Sequence, residues 1–492
     1  MKKALCILLA LLMAGCTVPA EQTEGAPQSP IEDVVLETTE PVAQPEEEPL
    51  EGIWSEELTA LMEEINAEHR AVEKQPVSAE LYDEYYPERE RLPLPKQPDT
   101  ELMVEVLTQA QAIYDVSYLC SFLSDNYSLY DYFGGDDAFV AARDAMIEEI
   151  LTQEQWTPKE LRTVILKNLS FVQDHHFSVG ATPVLAKFPI FYRNVEFMKT
   201  EDGFATTDGK LVESVEGQDL EQLFKRSLSV DGDIVYYPIL FSEHSYIDGS
   251  EQLPGDLKVR YIDGTEELLP MELYDDSFQN DENKNKVVIE EVEGIKKLTF
   301  KNFMNTTLVS AGEDLQGEAV AFIDIRDNGG GHADYGWRFW ESYTGTKTSG
   351  NHLIYMIPKN SEYLDNRYNV GVDSTEGRAI MNTDPDCFVE NDTLTVLLTG
   401  KFAYSAAEDF TDTAHNVENV LIVGENTAGC LISGSIYQKT LRYSNLYFSY
   451  GETATIWPEN HFAEGYGLEP DLWCPAVYAE EAAVNFIKKN MQ

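Results

Sequence analysis

The chain has 492 residues, enough for two or three domains around a large buried core. Its 35 Lys and Arg against 87 Asp and Glu give a formal charge of -52, which argues against nucleic acid and anionic lipid as natural partners of the folded surface. With 43% hydrophobic and 11% aromatic residues the chain is no disordered polyanion, and six cysteines without a C-x-x-C pair argue against both a disulfide scaffold and a structural zinc site.

Lys2 and Lys3 precede an apolar run from Ala4 to Met13 that ends in Ala14-Gly15-Cys16. A positive start, a short hydrophobic stretch and small residues make an export signal, and the run is too short to span a membrane as a helix. Leu12-Met13-Ala14-Gly15-Cys16 resembles a bacterial lipobox, which implies removal of residues 1–15 and a lipid on Cys16. The expectation is therefore an exported bacterial lipoprotein, held to a membrane on its extracytoplasmic side. Residues 17–50 carry six prolines, nine acidic residues and no Lys or Arg. Such a stretch cannot bury enough apolar surface to offset its ordering entropy, and 16–52 is read as an acidic, Pro-rich tether.

From 53 to 185 the pattern is helical. Leu102, Val106, Ile113 and Val116 recur at helical spacing, as do Leu161, Val164, Ile165, Leu169 and Val172. Thr157-Pro158-Lys159-Glu160 is a capping box with Pro at the first helical position. This second helix is expected to run out at Asp174-His175-His176, where the helix dipole would favour a protonated imidazole or a histidine C-cap. Between 186 and 285 short β-type runs, Phe188 to Val195, Leu211 to Val215 and Leu257 to Ile262, are punctuated by Asp202-Gly203, Asp208-Gly209 and Asp263-Gly264. A small β-rich middle domain is expected there, followed by a boundary loop from Asp275 to Lys286.

The remaining segment, 286–492, alternates strands with helices and predicts an α/β core. Ala319 to Ile323, Leu394 to Leu398 and Val420 to Val423 are continuous apolar runs of the kind buried on both faces, each expected to lead into a helix. The first run feeds Asp324-Ile-Arg-Asp-Asn-Gly-Gly-Gly331. Successive glycines at a strand-to-helix turn can aim backbone N–H groups at an anion or a developing oxyanion, or can simply make a tight turn. The second run leads to Ser405-Ala-Ala-Glu408. A serine there can present its hydroxyl with the Ala406 N–H beside it, although Ser-x-x-Glu taken alone is a capping box.

These pieces occur together and in order: Asp174-x-His176, the strand running into Asp324 to Gly331, Ser405-Ala-Ala-Glu408, Gly424-x-x-Thr427-x-Gly429, and Glu464-Gly-x-Gly-x-x-Pro-Asp471. The set resembles the tail-specific, or C-terminal-processing, serine peptidases, a family that includes the tricorn core and the retinoid-binding repeats. The resemblance spans residues 100 to 480. It implies a crotonase-like or Clp-protease-like core, a helical N-terminal domain packed on it, and often a PDZ-type module between the two. Asp208 to Gly217 resembles the end of a PDZ domain, but the loop that clamps a carboxylate has no clear counterpart. Tail recognition by strand addition and a degenerate module that only shapes the cleft therefore both stay open.

In the C-terminal-processing branch a lysine follows Thr-x-Gly, whereas Thr427-Ala428-Gly429 is followed by Cys430. The resemblance then implies the tricorn-type arrangement, with Ser405 as nucleophile, His176 as general base and Glu464 orienting the imidazole. That set is chemically complete, since a weak hydroxyl needs a base and the base a third group to hold its tautomer. The oxyanion donors would be the N–H of Ala406 and that of Gly330 or Gly331, with Arg326 and Asn328 bracing the turn. His175, His332 and His461 are weaker candidates for the base. The expected function is serine-type cleavage of unfolded or extended polypeptide through an acyl-enzyme, with no metal and no organic cofactor. The alternative is a catalytically silent lipoprotein that keeps the fold to bind peptides or small apolar ligands.

Overall fold

A computed structural model describes residues 52–72, 79–90, 92–184, 190–241, 255–274, 286–346, 354–358, 379–381, 388–456 and 462–491. The leader 1–15, Cys16, the tether up to residue 51, loop residues 275–285, Cys387 and His461 lie outside the described residues. No helix among the described residues is long and apolar enough to cross a membrane.

The longer helices are α1 (Glu56–Arg70), α2 (Gln109–Asn126), α3 (Gly135–Ile150), α4 (Pro158–Asn168), α5 (Ala333–Thr344), α6 (Ala406–Ala414) and α7 (Ala476–Asn490). Helix α2 starts later than the spacing of Leu102 and Val106 suggests. Thr108 caps it in a reciprocal box with Gln111, and Leu102 and Val106 are exposed residues ahead of the cap. Helix α4 begins as the sequence predicts, with Thr157 and Glu160 in a capping box and Pro158 in the first turn. It ends early, at Asn168, whose side-chain amide donates to the Val164 carbonyl at 2.8 Å. Val172 and Asp174-His175-His176 follow in a turn, so neither histidine caps the helix and its dipole does not act on them.

The central strands are β1 (Phe224–Leu228), β2 (Ile234–Phe241), β3 (Ile295–Phe300), β4 (Val320–Asp324), β5 (Leu394–Thr399), β6 (Val420–Gly424), β7 (Ser433–Thr440), β8 (Tyr447–Ile456) and β9 (Leu472–Trp473). Strands β1, β9, β6, β5, β4 and β3 lie side by side in parallel and form the middle of a twelve-stranded sheet. All residues of β4, β5 and β6 are buried, because both faces of the sheet are covered. Helices α1 and α7 cover one face, through Leu58, Ile65, Ala482 and Ile487; α5 and α6 cover the other, through Phe339, Trp340 and Phe410. This is a three-layer α/β/α core.

The β-rich segment is not separate from that sheet. Ile190–Tyr192 pairs with β2, β2 with β1, and β1 reaches β9 through Ser227 and Trp473, so these strands extend the core sheet. The expected hairpin turns are present: Phe197–Thr200 pairs with Gly203–Thr206, and Leu257–Tyr261 with Glu266–Leu269. Gly264, at φ +82°, takes the left-handed position of the second. Val212–Val215 joins that second hairpin in a three-stranded sheet.

No helix follows β6. The chain passes through Thr427 to Cys430 into the long β7–β8 hairpin, which with Ile354–Ile357 and Ser178–Val179 builds a further sheet. Helices α2, α3 and α4 pack on that sheet, burying Phe122, Phe139, Leu161, Phe448 and Tyr450 in one cluster. Ser178, two residues after His176, pairs with Ser449, which carries the histidine segment from the helical layer to the ends of the central strands.

Candidate active site

Three strand-end loops meet here. The first follows β4. Arg326, 4% exposed, donates to both oxygens of Asp324 at 2.9 and 2.6 Å, to the Ala476 carbonyl at 2.6 Å and to Glu480 at 3.0 Å. It fastens the end of β4 to the first turn of α7 and takes the bracing role the sequence suggests. Asn328 donates to the Phe300 carbonyl at 3.0 Å, and its Oδ1 accepts the N–H of Gly330 at 3.0 Å. That bond distinguishes the two glycines. The Gly330 N–H is engaged, whereas the Gly331 N–H has no hydrogen-bond partner among the described residues. Gly330 packs against the second loop so closely that a Cβ there would lie 2.7 Å from the Tyr404 carbonyl and 3.1 Å from Ser405 Cβ.

The second loop follows β5 and carries Ser405 into α6. Ser405 has φ +53° and ψ -112°, outside the extended geometry of an ordinary N-cap and costly for a residue with a Cβ. A strained serine at a strand-to-helix turn is the arrangement that lifts a hydroxyl clear of the backbone. The Ala406 N–H, at the first position of α6, has no hydrogen-bond partner among the described residues. Tyr404 N donates to the Asn328 carbonyl at 2.9 Å and ties this loop to the first.

The third loop is Gly424 to Cys430. Glu408, fully buried in α6, joins it to the serine loop. Its Oε2 accepts the N–H groups of Ser405 and Cys430 at 2.9 and 2.8 Å; its Oε1 accepts Gly429 N and Thr427 Oγ1 at 2.7 and 2.8 Å. Burial nevertheless pushes its carboxyl up to about 7, outweighing the four donors. Ser405 and Cys430 are therefore held side by side on a single carboxylate oxygen. The sequence shows Glu408 only as a capping partner, because the other donors arrive from residues 427 to 430.

His176 reaches this junction from the helical layer. Its N–H donates to Asp174 at 2.8 Å and its carbonyl accepts from Ser449 Oγ at 2.7 Å. Asp174, fully buried, also accepts from Tyr127 Oη at 2.7 Å and from Ser433 Oγ. Burial pushes the His176 imidazole down to about 4, so the ring is neutral rather than the imidazolium a helix end would favour. The ring's polar neighbour is the Cys430 thiol, with Sγ 3.3 Å from Nε2 and 3.5 Å from Nδ1.

Glu464 does not reach the His176 imidazole. Its Oε1 accepts the His175 N–H at 2.9 Å, and its Oε2 accepts those of Leu431 and Ile432 at 3.0 and 3.1 Å. Burial, reinforced by the nearby Asp174, holds its carboxyl well above the usual range. The nearest ring to it is that of His175, whose Nδ1 is 4.0 Å from Oε1 and 2.5 Å from the Gly429 carbonyl. The carboxylate nearest the His176 ring is Asp174, 4.0 Å from Nδ1. Three of the residues singled out from the sequence, Ser405, His176 and Glu464, thus border one site around Cys430, but no hydrogen bond joins their side chains. His332 is exposed and packs on Tyr335, and Lys401 lies over Tyr274 and Phe402. Among the described residues no disulfide links Cys120, Cys430 and Cys474.

Residues 297–473 match the profile of peptidase family S41. No curated protein matches the chain. Solved structures that resemble it include mature CPAF complexed with lactacystin, at 14% identity over 77% of this chain and 98% of that one, with a TM-score of 0.41. The photosystem II D1 C-terminal processing protease is 12% identical over 74% of this chain and 93% of its own, with a TM-score of 0.34. The tricorn protease is 12% identical over 76% of this chain and 35% of its own, with a TM-score of 0.33.

Proposed function

With residues 297–473 belonging to peptidase family S41, we propose that this serine-type peptidase cleaves unfolded or extended polypeptide through an acyl-enzyme on Ser405. The reading rests chiefly on one observation: a strained Ser405 at a strand-to-helix turn, with two N–H groups that have no partner among the described residues, that of Ala406 beside it and that of Gly331 one residue from the glycine packed on it. The neutral His176 takes the Ser405 proton as Oγ bonds to the scissile carbonyl carbon. The carbonyl oxygen, now an oxyanion, is held by the N–H groups of Ala406 and Gly331. His176 then protonates the departing amine, and water hydrolyses the ester by the same path in reverse. Asp174 and Glu464 serve as positioning residues, holding the backbone of 175–176 through the two N–H groups they accept. The hydroxyl-to-imidazole bond closes when substrate fills the site.

The lipobox-like Cys16 and the acidic stretch 17–50 support the further reading that this activity belongs to a bacterial lipoprotein, held outside the membrane and away from its anionic surface. A second reading, a silent peptide-binding lipoprotein, is favoured by the thiol that stands against His176. Incubating the protein with an unstructured polypeptide and identifying fragments by mass spectrometry separates the two. Cleavage should fall at least about 1,000-fold in Ser405→Ala and about 100-fold to 10,000-fold in His176→Ala, with circular dichroism unchanged. Tight peptide binding without cleavage in the parent protein would support the silent reading instead.

A further inference from the structure

Glu408 is a fully buried acid that the proposed peptidase steps do not use. Its carboxyl is ringed by donors. Oε2 accepts the N–H groups of Ser405 and Cys430, and Oε1 accepts that of Gly429 and the Thr427 hydroxyl. Three of these are backbone N–H groups, whose direction cannot reverse. The fourth is fixed as well, because Thr427 Oγ1 accepts the Leu468 N–H at 2.7 Å and so turns its one proton toward Glu408. A proton on either oxygen therefore finds no acceptor in the ring, and it weakens the charge-assisted bonds that remain. The titratable groups that face Glu408 are Tyr404 and Cys430 across the two loops and Glu464 beyond them, with Asp409 its neighbour on α6 and the neutral His176 behind Cys430. None of them is a cation.

The two loops that share this carboxyl differ in freedom. Segment 427–429 is clamped: Thr427 N donates to the Leu468 carbonyl at 3.1 Å, Gly465 N donates to that of Gly429 at 2.8 Å, and neither Gly429 nor Gly467 has room for a Cβ against the facing backbone. Ser405 instead holds a conformation that lasts only while its surroundings enforce it, and its N–H bond to Glu408 is part of that enforcement. When the carboxyl changes charge, the serine loop is the side that yields.

We propose that Glu408 is a positioning residue whose proton sets the reactivity of Ser405: the carboxylate holds the serine in its presented conformation, and the protonated carboxyl, its proton exchanged with solvent, lets it relax. The effect on reactivity rests on the proposed nucleophilic role of Ser405, whereas the hold on its backbone does not. Burial puts the Glu408 titration at about 7 and that of the His176 ring at about 4, so the two are separable. The sign also separates this control from acid unfolding. A carboxyl raised above its ordinary range binds its proton more tightly in the folded chain than in the unfolded one, so Glu408 contributes stability at low pH that is lost as pH rises through about 7. Acidification through that range lowers the reactivity of Ser405 without destabilising the fold through this group.

Fluorophosphonate labelling of Ser405 as a function of pH, read by mass spectrometry, tests the proposal. In the parent protein the rate should fall about tenfold per pH unit below a limb at about 7. Glu408→Gln, which cannot ionise, should react about 100-fold more slowly than the parent above the limb and should show no limb. Thr427→Val removes a donor that lowers the carboxyl, so its limb should lie at higher pH, whereas Thr427→Ser should keep that of the parent. The two Thr427 variants carry the test if Glu408→Gln fails to fold. Hydrogen exchange at the Ser405 amide, corrected for its intrinsic pH dependence, should quicken as pH falls through the same limb, whether or not the serine reacts. A limb at about 4, a limb that survives in folded Glu408→Gln or stays in place in Thr427→Val, or Ser405 exchange indifferent to pH would overturn the proposal. If no adduct forms at any pH, the peptidase reading fails and amide exchange alone decides the hold of Glu408 on Ser405.

Discussion

Ser405 holds a backbone conformation that an L-residue adopts only when its surroundings enforce it, at a cost of roughly 1–3 kcal/mol. Those surroundings are visible: Glu408 takes its N–H, Gly330 lies so close that it has no room for a Cβ of its own, and Tyr404 is tied to Asn328. Glycine has no Cβ to strain, so Ser405→Gly should raise stability by about 1 kcal/mol in urea unfolding while Ser405→Ala leaves it unchanged. Equal stability of the two variants would mean the strain is not stored there. At this scale the sequence is legible as residue types but not as partners. Ser405, His176 and the glycines stand out by motif, yet the choice between Gly330 and Gly331 depends on one bond from Asn328. The separation of Glu464 from the His176 ring depends on three backbone donors that no spacing reveals.

Elements whose signals are local are read correctly from sequence, and those set by long-range packing are not. The capping box of α4 and the three apolar strands β4, β5 and β6 lie where expected, because caps and fully buried strands are written in adjacent residues. The end of α4 is misplaced because the apolar spacing continues past Asn168 into Val172, which is buried in the same cluster after the helix has stopped. A helix after β6 is likewise replaced by the β7–β8 hairpin, whose sheet the helical layer covers. Between elements, Arg326 is the main polar tie from β4 to α7. Arg326→Leu leaves Asp324 buried without its partner and should cost about 3–5 kcal/mol by denaturant unfolding. A loss under 1 kcal/mol would show that the tie contributes little.

The whole molecule brings two separate cores to one point. His176 reaches the site beside β8 and Glu464 beside the residues that lead into β7, whereas Ser405 and the glycines rise from the central sheet. Tyr127 in the helical layer is the longest arm of this arrangement, through its 2.7 Å bond to Asp174. Tyr127→Phe leaves the fully buried Asp174 one donor short and should cost about 1–3 kcal/mol and slow peptide cleavage. Unaltered cleavage would detach the helical layer from the chemistry. The acidity of the chain, obvious from composition, says much about partners to exclude and nothing about this convergence, which only the fold creates. The central claim is that Ser405 is an activated nucleophile, and a fluorophosphonate tests it without a known substrate. The account predicts a single adduct, mapped by mass spectrometry to Ser405, formed by the folded protein, lost on denaturation and at least about 100-fold slower in His176→Ala. No adduct on the folded protein, or an adduct on any other residue, would contradict it.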